Sequence, residues 1–160
     1  MSDSLRVPKQ AVSIQLRDAR GVEHSASIYL ADNAAADERR ERLQDVLLSR
    51  RFIPVASGGA FAFVHRDHIL WVRLDLIAAF DELDHDAEGA EGSVAVGVRI
   101  ELLDGSVVEG GMRYLRPADS RRVSDHLESL PCFFTVQTPD WLYVINRDGV
   151  IRLVAVDEVR

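Results

Sequence analysis

The sequence predicts a mainly β fold, of the β-rich α+β class, made by internal duplication of one five-stranded ββαβββ unit. Two observations predict it. Alternating apolar segments bounded by turn residues, the pattern of half-buried strands, follow in the same order in both halves of the 160-residue chain. One short segment of helical periodicity stands after the second strand of each half. The expected organisation is an N-terminal tail over 1–10, a first repeat over 11–80, an acidic linker over 81–93 and a second repeat over 94–160.

The first two elements of each repeat are predicted to form a β-hairpin. Two alternating segments that end in aspartate are matched as first strands, residues 12–18 and 98–104. This match aligns Asp18 with Asp104 and gives the first copy one more turn residue. The second strands end at matched tyrosines, Tyr29 and Tyr114.

A helix is predicted next in each repeat, over 38–51 in the first and about 121–130 in the second. Leucine and valine recur there at helical spacing and give one apolar stripe that can lie across a sheet. Pro131 ends the second helix, because the residue before a proline disfavours the helical conformation. The candidate N-caps are Asn33 or Asp37 and Asp119 or Ser120.

Three strands complete each unit. The segment 52–55 is matched with 133–136, and 63–69 is matched with 144–150, where two apolar strands flank an Arg-Asp turn. Short antiparallel strands of this number form a small barrel or a curled antiparallel sheet, with one short helix per copy. We expect the two copies to pack as a pseudo-twofold pair through strand edges or an apolar sheet face.

Four segments also carry a resemblance to a known type of domain: Asp104-Gly105, Arg122 to Leu127, Phe133 to Val136 and Asn146 to Asp148. In these segments the chain resembles a short, uncharacterised bacterial β-rich domain with SH3-like or Sm-like small-barrel architecture, present here as a tandem pair. The helix follows the second strand here, whereas it precedes the strands in Sm proteins, so Sm RNA sites do not transfer. The resemblance implies no reaction and no cofactor.

Charge and composition narrow the function classes. The net charge is −7, and the stretch 81–92 holds six acidic residues without a lysine or arginine, so each repeat is close to neutral. Nucleic-acid binding is therefore disfavoured. No membrane span and no secretory leader are predicted, and the single cysteine, Cys132, fits a reducing compartment. We expect a cytoplasmic protein.

No motif predicts catalysis, a cofactor or a metal site. His65-Arg66-Asp67 resembles part of a kinase catalytic loop, but position 72 is Val where that loop needs Asn. His65, Asp67 and His68 resemble a metal cluster, but the second copy has Asn146 and Gly149 at the matched positions, which favours a tight turn. We expect no enzyme activity.

The function hypothesis is a non-enzymatic adaptor that binds another protein, with a homo-oligomer through strand edges as one form. The alternative is a ligand-sensing domain that holds a nucleotide or metabolite between the repeats, and Sm-like nucleic-acid binding ranks third. The residues expected to contact a partner are three aromatics and three arginines: Trp71, Trp141, Tyr143, Arg39, Arg50 and Arg51.

Overall fold

The computed structural model describes residues 9–31, 41–79, 93–115 and 123–156, and these residues confirm a mainly β fold with two short helices. The elements in chain order are β1 Lys9–Asp18, β2 Glu23–Ala31, α1 Leu43–Ser49, β3 Phe52–Ser57, β4 Ala60–His65, β5 Ile69–Asp75, β6 Ser93–Leu102, β7 Val107–Leu115, α2 Val123–Glu128, β8 Phe133–Gln137, β9 Trp141–Asn146 and β10 Val150–Val156. β1 and β6 thus begin inside the predicted tail and linker.

All ten strands belong to one antiparallel sheet in the order β10-β6-β7-β8-β9-β5-β1-β2-β3-β4. Within the described ranges, β10 and β4 are the two ends of the sheet, and it is not closed into a barrel. The described chain therefore has one continuous open sheet with two free strand edges.

The strand order is the same in each half. The first half has the order β5-β1-β2-β3-β4, and the second has β10-β6-β7-β8-β9. Lys9 pairs with Ala31 and Ser93 with Leu115, so the two hairpins pair alike at a separation of 84 positions.

The last three strands of each half also agree, at a separation of 81 positions. Phe52 pairs with His65, as Phe133 pairs with Asn146. The first and fifth strands also pair alike in the two halves. Leu16 pairs with Val72, and Ile100, 84 positions after Leu16, pairs with Leu153, 81 positions after Val72. These separations define counterpart positions in the two halves.

The hairpin turns correct one detail of the sequence match. Gly21 and Gly105 have φ angles of 84° and 83° and occupy the same place in turns of equal length. The counterpart of Asp18 is therefore Leu102, and the extra turn residue predicted for the first copy is wrong. The predicted match of Tyr29 with Tyr114 is wrong as well, since the counterpart of Tyr29 is Arg113. The match failed because it aligned aspartates, whereas the turn is fixed by the residue that must adopt a positive φ.

The first helix is shorter than predicted. α1 begins after Arg42, whose backbone N–H donates to the Asp45 carboxylate at 3.2 Å, and it ends at Ser49. Arg50 is in an extended conformation, so the prediction of helix to position 51 is wrong at this end. The N-caps Asn33, Asp37, Asp119 and Ser120 lie outside the described residues.

Buried apolar side chains form two clusters that both halves build together. The first core cluster contains β1, β2, β3 and α1 side chains and also Phe133, Leu142 and Val144 of the second half. The second core cluster contains β6, β7 and β8 side chains and also Leu70 and Trp71 of the first half. β5 and β9 therefore lie between the clusters and are buried on both faces.

Candidate functional site

The two halves are joined by antiparallel pairing of β5 with β9. Five residue pairs form this junction, from Trp71 opposite Ile145 to Asp75 opposite Trp141. β5 is the fifth strand of its half and β9 is the fourth strand of the other. The halves are therefore related head to tail, and the expected pseudo-twofold relation is wrong.

An arginine lies among aromatic rings at this junction. The guanidinium carbon of Arg73 is 5.0 Å from the ring centroid of Trp71, 4.2 Å from that of Trp141 and 5.7 Å from that of Tyr143. Its Nε donates to Gln15 at 2.9 Å, and one terminal nitrogen donates to the Tyr143 hydroxyl at 2.9 Å. Cation–π attraction and these hydrogen bonds together hold β5 against its neighbours on both sides.

Three residues expected to contact a partner thus come together around Arg73. Trp71 is buried, Tyr143 is buried, and Trp141 is half-buried. Their burial supports a role in joining the halves, and their contact with a partner stays a prediction. Arg73 was not predicted, because an isolated arginine in a strand gives no motif, although it shares a face with Trp71 two residues earlier.

The arginines expected at a partner surface are placed elsewhere. Arg50 and Arg51 are exposed in the segment that connects α1 to β3. The Arg51 carbonyl accepts a hydrogen bond from the backbone N–H of Arg66 at 2.9 Å. Arg39 lies outside the described residues.

A second contact between the halves is an ion pair at the hairpin turns. Arg17 Nε lies 2.5 Å from Oδ2 of Asp104, whose side chain is buried. Burial acts to raise the pKa of Asp104, but hydrogen bonds from Ser106 and Arg17 outweigh it, so this pKa lies below its ordinary value. Asp104 is therefore a buried carboxylate that is stabilised partly by the opposite half.

Asp18 closes the turn of the first hairpin. Its carboxylate accepts hydrogen bonds from the Arg20 side chain at 2.7 Å and from the backbone N–H groups of Arg20 and Val22 at 2.9 and 3.2 Å. His24 Nε2 lies 3.0 Å from the same carboxylate. The Arg20 hydrogen bond, helped by His24 and the backbone, holds the pKa of Asp18 well below its usual range although burial opposes it.

The first half contains an open cavity of about 530 Å³ beside this turn. Its apolar wall includes Leu16, Val55 and Ala62, and polar side chains including His65 and His68 also line it. The cavity lies next to β4, the strand at the free end of the sheet.

The corresponding place in the second half is filled. The counterparts of Leu16, Val55 and Ala62 are Ile100, Val136 and Tyr143, which belong to the second core cluster together with Leu70 and Trp71 of β5. A Cβ atom at Gly149, the counterpart of His68, would lie 2.9 Å from Cδ2 of Leu70. Leu70 and Trp71 of the first half therefore fill, in the second half, the place that is an open cavity in the first half.

β4 and the start of β3 carry an exposed aromatic surface, which we call the β4 aromatic surface and define as Phe52 of β3 and Phe61 and Phe63 of β4. These side chains are 52%, 67% and 70% exposed. Their counterparts in the second half are buried in the first core cluster, with exposures of 1–3%: Phe133, Leu142 and Val144. The sequence signal was the alternation along β4, which places 61 and 63 on one face, but it does not tell which face is covered.

Comparisons with protein-family models, curated proteins and solved structures found no significant match. The candidate site is therefore defined by its own geometry: an apolar strand edge without a partner strand among the described residues, an aromatic surface beside it and an open cavity behind it.

The Arg-Asp segments form matched tight turns. His65 Nδ1 accepts from the Asp67 backbone N–H at 3.1 Å, as Asn146 Oδ1 accepts from that of Asp148 at 2.9 Å. Each caps one turn of 3-10 helix, so the turn interpretation of this motif is confirmed. Across the described ranges, no group of three or more His, Cys, Asp or Glu residues is arranged to hold a metal ion.

Neither helix among the described residues has the length and apolar character needed to cross a membrane.

A polar cavity of about 430 Å³ lies at the junction beside Arg73. Its wall contains serine hydroxyls of β1 and β2, including Ser13 and Ser27, and the ring of Trp141. Arg73, Asp75 and the serines line this cavity with groups of both charges and with hydroxyl-bearing residues, which suits a small polar molecule.

Proposed function

We propose that the chain is a non-enzymatic protein–protein interaction module, an adaptor that binds a protein strand at the free edge of β4. The observation that carries the proposal is the β4 aromatic surface, exposed beside a strand edge that has no partner in the described part of the chain. Exposed apolar patches of this kind mark interaction sites. The cytoplasm is the expected compartment.

Duplication of one ββαβββ unit is part of the proposal. It is supported by the shared strand order, the shared pairing registers and the matched turn glycines. In each half the fifth strand pairs with the first, which is the connectivity expected of a curled, SH3-like or Sm-like unit. Two such units in one chain give an adaptor two non-equivalent free edges.

The physical basis of binding is addition of a strand to the sheet. An edge strand presents a row of unpaired backbone N–H and C=O groups, and a partner strand satisfies them. Burying the exposed parts of the three phenylalanines contributes on the order of 3–6 kcal/mol, from about 1.5–3 kcal/mol for a fully buried Phe. This contribution supports specific binding once the cost of association is subtracted.

The test is site-specific photo-crosslinking of the full chain in cells. A photoreactive amino acid replaces Phe61 or Phe63 in separate variants, and the control variant carries it at Ile77, which is 89% exposed in the turn after β5. We expect a crosslinked protein adduct from positions 61 and 63 and none from position 77. No adduct from positions 61 and 63, or equal adducts from all three, would contradict the proposal.

The ligand-sensing alternative is favoured by one observation, the polar cavity beside Arg73. A nucleotide or metabolite that binds there raises the melting temperature of the native chain. Ser27→Val lines the cavity with a methyl group in place of a hydroxyl and is expected to reduce that rise. If no compound of a nucleotide and metabolite set shifts the melting temperature, the alternative is contradicted. Sm-like nucleic-acid binding ranks below both, since β4 has no lysine or arginine.

A further inference from the structure

We propose that the partner strand at β4 is β10 of a second copy of this chain, so that copies assemble head to tail. This inference rests on the proposed function and names its partner. The first support is the internal junction, where β9 pairs with β5. β4 is the counterpart of β9, and β10 is the counterpart of β5. The two edges left free in the described sheet therefore correspond to the two edges that pair at the internal junction.

The internal junction predicts a register for the external one. The last three strands of the two halves are separated by 81 positions. Trp71 of β5 therefore corresponds to Arg152 of β10, and Ile145 of β9 corresponds to Val64 of β4, so the internal pair Trp71 and Ile145 predicts the external pair Arg152 and Val64. The same shift places Leu153 opposite Phe63 and Val154 opposite Ala62, with antiparallel strands. No two like charges face each other in this register, and apart from Arg152 all the facing side chains are apolar, which suits cross-strand pairs.

The β4 aromatic surface is exposed where its counterparts are covered. Phe133 is covered from the first half, and its carbonyl accepts a hydrogen bond from the Gln44 side chain of α1 at 2.9 Å. The second half of another copy would cover Phe52, because α2 has the same place in the element order of that half as α1 has in the first.

The cavity of about 530 Å³ supplies a place for a side chain of β10. In the internal junction, Leu70 fills the counterpart of this cavity, and the counterpart of Leu70 is Ile151. Ile151 is 63% exposed at the other end of the sheet. His68 lines this cavity, whose volume is what remains with that side chain in place. A Cβ at the counterpart Gly149 would lie 2.9 Å from Leu70, so Ile151 enters the cavity in a different position from that of Leu70.

A polar contact of the internal junction can also be repeated. Asn146 Nδ2 donates to the Ile69 carbonyl at 2.9 Å across the junction. The counterpart of Asn146 is His65, whose Nδ1 accepts from the Asp67 N–H. Its hydrogen therefore lies on Nε2, which makes His65 a donor for the Val150 carbonyl of a second copy.

The described edges of β4 and β10 carry few of the devices that keep edge strands apart. Charged residues and prolines usually block edge-to-edge pairing. β4 has neither, and β10 has one charged residue, Arg152, which is held by Glu101 at 3.1 Å. Because the two pairing edges differ, the contact is heterologous, and its repetition gives a closed ring or a filament.

Complementation between two edge variants tests this assembly in sedimentation experiments on the full chain. The first variant carries Phe61→Lys and Phe63→Lys, and the second carries Ile151→Asp and Val156→Lys; all four side chains are exposed, so folding is retained and is checked by circular dichroism. The matched control is Ile77→Lys. We expect wild type and control to sediment as oligomers, and each edge variant alone to sediment as a 17.9 kDa monomer.

A mixture of the two edge variants is the decisive sample. Each variant keeps one intact edge, and the two intact edges are complementary, so we expect a one-to-one dimer of twice the chain mass. A monomeric wild type, oligomers of either variant alone, or a mixture that stays monomeric would overturn the inference. If position 61 crosslinks to a different protein while wild type is monomeric, this inference fails and the proposed function stands. If it crosslinks to nothing, both fail.

Discussion

Asp18 and Asp104, both at hairpin turns, stabilise different contacts. Asp18 closes its own turn through Arg20, Val22 and His24, whereas Asp104 accepts a hydrogen bond from Arg17 of the opposite half. Both are buried carboxylates whose pKa is lowered. They therefore contribute stability in their charged form, Asp18 locally and Asp104 across the junction.

The first prediction concerns the Arg17–Asp104 ion pair. Asp104→Asn leaves Arg17 without its buried partner, and we expect the free energy of unfolding to fall by about 1–3 kcal/mol, the usual loss for a charged hydrogen bond. Urea denaturation measures it. The control, Arg99→Met, removes surface ion pairs with Glu101 and Glu109 and is expected to change stability by less than about 1 kcal/mol. Equal losses in both variants would contradict the role of Asp104.

The second prediction concerns acid. The pKa of Asp18 and Asp104 is lower in the folded chain than the value of about 3.9 in an unfolded one, so the unfolded chain binds more protons as the pH falls. The stabilisation is fully present above about pH 5 and is lost progressively as the pH falls from there towards the folded pKa. Asp18→Asn is expected to be less stable at pH 7 and to lose less stability between pH 7 and 3. Urea denaturation across this range checks it, and an unchanged pH slope would contradict it.

Among elements, β5 and β9 determine how the halves fit. Each is buried on both faces, because it contributes side chains to both core clusters. Leu70 of β5 packs against the backbone of Gly149, where a Cβ would be only 2.9 Å from its Cδ2 atom. This close approach explains why the second half has glycine where the first half has His68.

The third prediction tests that approach. Gly149→Ala is expected to lower the free energy of unfolding by about 1–3 kcal/mol, the cost of overpacking. In a Leu70→Ala background the same change is expected to cost less, because the truncated side chain makes room. A double-mutant cycle from thermal or urea unfolding measures the coupling. Additive losses would show that the two residues do not compete for space.

The sequence predicts where the helices and strands lie better than it predicts which strands pair with each other. Alternation locates all ten strands, and helical spacing locates both helices, because these periods follow from local geometry. It does not predict that β5 pairs with β9, since alternation assigns faces and not partners. For the same reason it identifies Trp71 and Tyr143 as notable aromatics but not Arg73 between them, nor the exposure of Phe61 and Phe63.

At the scale of the whole molecule, the halves are interdependent. Leu142 and Val144 of the second half complete the first core cluster, and Leu70 and Trp71 of the first half complete the second. A unit of about 65 residues is marginally stable alone, so shared strands supply part of the burial that each half needs.

The fourth prediction follows from this sharing. The Phe61→Lys, Phe63→Lys variant, expected to be monomeric, should unfold in one cooperative transition in scanning calorimetry, with equal calorimetric and van't Hoff enthalpies. Leu142→Ala should lower the single melting temperature and not split it. Two resolved transitions would show that the halves fold independently.

The most direct measurement of head-to-tail assembly is disulfide trapping between two copies. In a Cys132→Ser background, one chain carries Ala62→Cys and a differently tagged chain carries Val154→Cys, two positions that face each other in the register predicted from β5 and β9. Directly opposed strand residues satisfy the Cα separation that a disulfide needs. Ala60→Cys, two residues out of register, replaces Ala62→Cys in the control. We predict a covalent heterodimer from 62 with 154 and little from 60 with 154. No heterodimer from 62 with 154, or equal yields from both pairs, would contradict the assembly.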